Sequence, residues 1–349
     1  MVCWSLQGNE DIDLRPETSD VRLGTSDSRL TSHVSCLMSF FLCLVFCVLC
    51  LFPSSSEGAF RDNFLGARSV AMGGAYTALA DDADGALVNP AGLSNIEGQQ
   101  IIAALSALHV GLSDDSFISQ NILGYAYRQR RAGTLGIVWK RLAASDLYFE
   151  NVLALSFSRA FGFYLTKSED DRGKNLFLGG TLNLMSWDSA PTIGADGEVI
   201  EDLPGWRGLG FDFGLTVWPS ENIPVALALQ NINRPDVASN VSEVEERLPI
   251  ATRMGVAAIG EDITWAMDMI LRDGQIDLRT GLEKRYGQNF TIRGGFSLEN
   301  LAWGTNFTLG AGYKPGEFTR IDYAFVYPVN TILSTLGSHR ISVTYDFGQ

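Results

Sequence analysis

Past Cys50 the chain contains no cysteine; all five (Cys3, Cys36, Cys43, Cys47 and Cys50) fall in the first 50 of 349 residues. Once a leader is removed, the remainder has no disulfide, no thiol nucleophile and no Cys-based zinc site. That suits passage through an oxidising compartment. Histidine is nearly as scarce, with only His109 and His339 beyond residue 59. A Ser-His-Asp hydrolase needs one of them beside a nucleophile, and no G-x-S-x-G turn is present. No catalytic residue, metal site or cofactor is assigned, and the chain is not expected to be an enzyme. Charged residues make up 19%, below the usual quarter or so. Beyond residue 59 there are 23 Lys and Arg against 33 Asp and Glu. An acidic chain without basic clusters excludes nucleic acid as a partner.

Long apolar runs are also missing. A spanning helix takes about 18–20 apolar residues, and the hydrophobic run Leu37–Phe52 has sixteen apolar or small residues without a charge. Pro53 and the small residues Ser54-Ser55-Ser56-Glu57-Gly58-Ala59 follow it. A helix breaker and then small residues is a signal-peptide exit, with cleavage expected after Gly58 or Ala59; an uncleaved anchor is the alternative. Residues 1–36 are polar and hold more acid than base, unlike an ordinary n-region, which points to a start near Met38. Residues 1–59 are thus a leader including the signal peptide, with its hydrophobic run over 37–52. Mean hydropathy of +0.08 argues against a bundle of membrane helices. It does not argue against a β-barrel, whose strands alternate apolar and polar positions.

From Gln99 onward the hydrophobic period is two. Phe307, Leu309, Ala311 and Tyr313 alternate with Asn306, Thr308, Gly310 and Gly312, and Ile341, Val343 and Tyr345 alternate with Ser342, Thr344 and Asp346. The pattern predicts fourteen strands: 100–110, 119–129, 133–143, 150–160, 175–187, 208–218, 223–232, 250–259, 262–272, 275–284, 288–298, 303–313, 317–327 and 338–347. An even count of strands near the roughly 9–11 residues of a tilted spanning strand is the signature of a closed antiparallel transmembrane barrel. With both ends of the barrel chain on the inner side, the long connections 188–207, 233–249 and 328–337 face outward, and 130–132, 219–222, 260–261, 285–287 and 314–316 are short inner turns. Connection 161–174 departs from that split. Tyr148, Trp187, Trp206, Trp218, Trp265, Trp303, Tyr313 and Tyr327 near strand ends suggest an interfacial girdle. The last strand ends with Phe347 two residues short of the terminus, a partial match to a barrel-assembly signal.

Asn63 to Gly98 breaks this pattern. It is rich in Gly and Ala, dotted with Asp, and ends in the turn Asn89-Pro90-Ala91-Gly92. Ala71–Ala83 is a candidate helix weakened by Gly73-Gly74. Asp81, Asp82 and Asp84 suit either local capping or pairing with arginines of a barrel wall. A barrel lumen can satisfy the backbone groups of such irregular chain, whereas lipid cannot. Residues 60–98 are therefore expected to form an N-terminal plug inside a barrel formed by 99–349.

The run GARSVAMGGAYTALADDADGALVNPAGL resembles the N-terminal signature of FadL-like outer-membrane barrels, most nearly their PorV/PorQ-type branch. The plug motif residues are Gly66, Ala67, Arg68, Gly73, Gly74, Asp81, Asp82, Asn89, Pro90 and Ala91. The resemblance implies an all-β fold of fourteen strands with this segment in the lumen, in the bacterial outer membrane after signal-peptide cleavage. It implies one of two functions: passive passage of hydrophobic or amphipathic small molecules, or a PorV-like part in type IX secretion that receives exported cargo. The partners implied are outer-membrane lipids, an apolar small-molecule ligand, and secreted proteins or secretion machinery, around a monomeric barrel. No ligand-binding residue is identified. A lateral wall opening would need a bulge or a Gly-weakened strand, and Gly179-Gly180 and Gly294-Gly295 are candidates.

Other charged groups carry less. His109 and His339 fall at the outer ends of neighbouring first and last strands, too few ligands for a metal. The acidic stretches 169–171, 196–198 and 243–246 lack EF-hand spacing. Arg128, Arg130 and Arg131 sit at an inner turn and suit pairing with the acidic plug or with partners.

Overall fold

A computed structural model describes residues 60, 66–113, 116–129, 131–162, 176–193, 199–201, 205–238, 245–300, 304–330 and 335–348. The leader, and most of the acidic stretches and of connection 161–174, lie outside the described residues. The strands are β1 Gln99–Leu108, β2 Ile118–Gln129, β3 Gly133–Ala144, β4 Tyr148–Phe161, β5 Leu176–Ser189, β6 Thr192–Ile193, β7 Val199–Glu201 and β8 Trp206–Ser220. There follow β9 Ile223–Gln230, β10 Ala251–Ile259, β11 Ile263–Arg272, β12 Gln275–Tyr286, β13 Phe290–Glu299, β14 Gly304–Tyr313, β15 Thr319–Pro328 and β16 Ser338–Phe347.

All but β6 and β7 form one closed antiparallel barrel of fourteen strands in sequential order. Closure is made by β16 on β1, with Gln99 opposite Phe347 and Ala107 opposite His339. Each of the fourteen expected segments coincides with one barrel strand, because most keep the period of two that a two-faced wall imposes; β10, buried along most of its length, is the exception. The hairpin β6–β7, inside the connection read as 188–207, was not expected; it is too short to carry a period.

The alternation resolves into two faces. On β16, Ser338, Arg340, Ser342 and Thr344 are buried and Ile341, Val343 and Tyr345 are exposed. Leu123, Leu135, Phe157, Phe211, Leu282 and Leu309 continue the exposed apolar face around the wall. An apolar outside and a polar inside is a barrel made for lipid. Trp265, Tyr313 and Tyr327 stand on that outer face as expected of a girdle. Trp187 and Trp206 do not: they are buried, face each other across β5 and β8, and belong to the interior. Trp303 lies outside the described residues.

The buried face of the strands surrounds residues 66–97, almost all of them buried. This interior segment holds one helical turn, α1 (Ala67–Ala71), and two 3-10 turns, Ala83–Leu87 and Pro90–Asn95. The helix therefore lies before Gly73-Gly74, not after. Those glycines end it: both take left-handed backbone (φ +67° and +76°), and their N–H groups close on Val70 and Ser69 carbonyls at 3.0 Å.

Candidate functional site

At four glycines of the wall the interior segment approaches the strand backbone directly, with no wall side chain between them. A Cβ on Gly179 would lie 2.4 Å from the Pro90 carbonyl carbon, on Gly214 2.1 Å from Asn89 Oδ1, on Gly281 2.3 Å from the Met72 carbonyl oxygen, and on Gly295 2.2 Å from Gly73 N. Gly179 and Gly295, read as weak points of the wall, serve as seats for the segment instead. The ladders run through both glycine pairs without a break. Among the described barrel ladders the register shifts once, between Val217 and Ser220 on β8.

Hydrogen bonds from inward side chains satisfy the segment's irregular backbone. Asp268 on β11 is the largest anchor: its Oδ2 accepts from the N–H groups of Tyr76 and Thr77 (both 2.9 Å) and from Thr77 Oγ1 (2.6 Å). Thr308 on β14 accepts from Gly73 N (3.0 Å) and donates to Ala71 O (3.0 Å). Gln230 donates to Leu87 O (2.7 Å), Gln100 accepts from Ala83 N (2.6 Å), Ser158 donates to Ala91 O (2.9 Å) and Ser342 accepts from Ala67 N (3.2 Å). Asn89 caps the second 3-10 turn through Ala91 N (3.1 Å), and Pro90 starts that turn where an N–H is not needed. The amide of Asn89 also donates to Thr77 O (2.8 Å) and to Thr216 on β8 (2.9 Å), so one side chain ties two parts of the segment to the wall.

Charge completes the attachment. Arg68 Nε contacts Glu283 (3.2 Å), Glu283 accepts from Arg293 (2.7 Å), Arg293 donates to Asp322 (2.7 Å), and Asp322 accepts from Arg320 (2.8 Å). Arg320 then bonds Asp82 (2.6 Å), and Asp82 returns to Arg68 (3.3 Å). Three cations and three anions thus alternate in a closed ring that joins the segment to β12, β13 and β15. Tyr76 OH donates into it at Asp82 (2.7 Å), and Asp81 pairs with Arg68 at 2.5 Å. Of the two roles read for the aspartates, pairing with the wall is realised, whereas no aspartate side chain caps a turn of the segment. Asp82 pairs with a wall arginine, whereas Asp84 Oδ2 accepts Gly66 N–H (2.7 Å) within the segment.

The two buried carboxyls differ in proton affinity. Burial alone would raise Asp82, but the Arg320 and Arg68 guanidiniums override it and hold the group well below the usual carboxylate range. Asp84 has no such partner; burial, and then the charge of Asp82, push it up to about 7.

Two spaces flank the segment. Toward the long connections, Val152, Met185, Trp187 and Trp206 form an apolar patch on the inner wall, closed over by Val237 and Leu248. The ring of Phe60 fills it, 6.0 Å from Trp206, and Phe60 N–H donates to Glu150 (2.9 Å), which also accepts from Tyr148 OH (3.0 Å). At the opposite, short-turn end a cavity of about 300 Å³ lies under Ala78, Leu79 and Asn95, with Trp218, Ile259 and Gln100 on its wall.

All ten motif residues lie in the interior segment: Ala67 and Arg68 on α1 and Gly66 just before it, Gly73 and Gly74 after it, Asp82 on the ring with Asp81 beside it on Arg68, and Asn89, Pro90 and Ala91 at the second 3-10 turn. The wall residues that anchor the segment or complete the ring, Asp268, Glu283, Arg293, Arg320 and Asp322, were missed. Their signal was an inward charge inside an apolar alternation, as in Trp265-Ala266-Met267-Asp268-Met269. His109 and His339 come close in register but not in function. His339 faces outward and bonds Tyr323 OH (2.7 Å), while His109 offers its backbone N–H to Ser338 (3.0 Å). Among the described residues no three His, Cys, Asp or Glu side chains are grouped to hold a metal. Arg128 reaches the Ile96 carbonyl (3.2 Å), not an acid of the segment.

No family model and no curated protein matches the chain. Solved structures do match. The monoaromatic hydrocarbon channel CymD superposes with a TM-score of 0.59 at 16% identity, over 83% of this chain and 100% of that one. The toluene transporter TbuX of Ralstonia pickettii gives 0.59 at 17% identity over the same shares, 83% and 100%. A FadL homologue of Pseudomonas aeruginosa gives 0.52 at 11% identity, over 85% and 100%. At these identities the likeness is one of fold: this chain has the barrel fold of the FadL-like channels.

Proposed function

We propose that this chain is an outer-membrane channel for passive passage of hydrophobic or amphipathic small molecules, with residues 60–98 as its plug. The observation that carries this reading is the apolar patch at Met185, Trp187 and Trp206 on the inner wall near the long connections, filled by the ring of Phe60. An inner surface that buries an aromatic ring beside a carboxylate acceptor suits an apolar molecule with at most one polar end. From there the path leads past the plug to the cavity at the short-turn end. The fold shared with hydrocarbon channels is in accord with this. No catalytic role is part of the proposal. The motif over residues 66–93 supports assignment to the PorV/PorQ-type branch, and the hydrophobic leader supports export.

The test is ligand content. The protein is purified from its native membrane in mild detergent and bound small molecules are identified by mass spectrometry. A stoichiometric apolar molecule, lost in Met185→Glu, is expected; a barrel that carries none and binds no added toluene or fatty acid contradicts the reading. The ordered outer hairpin β6–β7 and the Asp236–Arg247 bridge favour a second reading, reception of exported cargo. Co-purifying secreted proteins on an empty barrel would move the assignment there.

A further inference from the structure

A second cavity, of about 250 Å³, opens at the short-turn end where β2, β3 and β4 meet. Among the described residues its lining carries three guanidinium groups, from Arg128, Arg131 and Arg159, and no carboxylate. That is notable in a chain of net charge −14. Arg128 spends one N–H on the Ile96 carbonyl, and Arg159 lies over the Phe161 ring at 5.5 Å. Among the described residues neither Arg131 nor Arg159 meets an acid. Gly133 stands opposite Gln129, and a side chain on it would meet the Ser158 carbonyl at 2.3 Å and the Phe157 ring at 3.0 Å.

Arg159 is on the outward face of β4, in line with the exposed Phe157 and Leu155, and Leu135 stands opposite Phe157. The recess thus straddles the rim: Ser94, Arg128 and Thr134 border it on the inner side, and Arg159 brings it to the foot of the outer apolar strip. Guanidinium groups grip phosphate through paired N–H donors, and an arginine at the edge of a lipid-facing wall reaches the head-group layer while its stem stays on apolar surface. We propose that this recess binds the phosphate of a phospholipid in the adjoining leaflet, with an acyl chain along Leu135, Leu155 and Phe157. The site rests on the barrel's standing in a membrane and not on what passes through it, so its failure would leave the channel reading untouched. Lys284, another outward cation near the same rim, only covers the Tyr286 ring (5.1 Å) and serves as a control.

The full-length barrel, stripped of lipid in detergent, is titrated with phosphatidylglycerol while native mass spectrometry counts bound lipid. Wild type is expected to hold one lipid that Arg131→Gln/Arg159→Gln binds at least tenfold more weakly, with Lys284→Gln unchanged. Equal binding by the double variant overturns the site. Heat-modifiable migration checks that each variant is folded, and Arg131→Gln alone, in an exposed turn, stands in if the pair is not. Inorganic phosphate titrated against wild type separates the sources. Weak displacement of the lipid fits the proposal, whereas phosphate binding as tightly as the lipid would make this a free-anion site and refute the lipid assignment.

Discussion

Asp82 and Asp84 stand two positions apart, and the same burial leaves one a firm anion and the other a weak acid. Asp84 keeps its proton up to about pH 7 when folded, whereas a free carboxyl releases it near pH 4. Between those values the docked segment binds more protons than the released one. The stability of docking therefore falls as pH rises through that window and is level above it. Asp82 works in reverse: its contribution is full above about pH 4 and is lost as pH falls through its lower folded value. Asp84→Asn keeps an acceptor for Gly66 N–H and removes the charge. Hydrogen exchange of residues 66–97 is expected to show protection that declines from pH 5 to pH 7.5 in wild type and stays flat in Asp84→Asn. The ring should be less forgiving. Arg320→Met leaves Asp82 and Asp322 short of a cation, a loss of about 3–5 kcal/mol for a broken buried pair. Release of the segment should then appear as raised single-channel conductance in planar bilayers. Asp82 was legible in the sequence as a candidate partner of wall arginines. Arg320 was not, since nothing in a single strand says which inward side chain the segment will reach.

At the scale of elements, strands were readable and seats were not. Period two marks a two-faced wall without any knowledge of neighbours, so all fourteen barrel strands could be placed. The glycines at 179, 214, 281 and 295 carry no period; they look like weak points until the interior backbone is seen against them. The same blindness put the helix on the wrong side of Gly73-Gly74 and Trp187 and Trp206 on the wrong face. Strand ends reveal an aromatic but not the inner patch it joins. Gly295→Val tests the seat. Its side chain would enter the backbone around Gly73, whereas the neighbouring Gly294 has nothing nearer than 3.8 Å. Overpacking of this kind costs about 1–3 kcal/mol. Gly295→Val should expose the segment to limited proteolysis while Gly294→Val leaves it protected.

The whole molecule is two structures with different sources of order. The barrel is closed by its own ladder, β16 on β1, without help from the segment; the segment has no regular element longer than six residues and takes its order from the wall. Deleting residues 60–97 is therefore expected to leave a folded, heat-modifiable barrel with a large steady conductance, and loss of folding would show that the segment is part of the barrel's core. The fold and the irregular segment could be read from the chain because alternation and the Gly/Asp-rich break are local. The apolar patch could not, because it is assembled from β4, β5, β8, the 231–250 connection and Phe60. Uptake tests the central claim most directly. Cells with this barrel as their sole hydrocarbon channel are given a labelled monoaromatic hydrocarbon and the initial rate is measured. Wild type should raise the rate over channel-free cells, and Met185→Glu, which puts a charge in the patch, should remove most of the gain. Equal rates with wild type, Met185→Glu and no barrel would contradict the account.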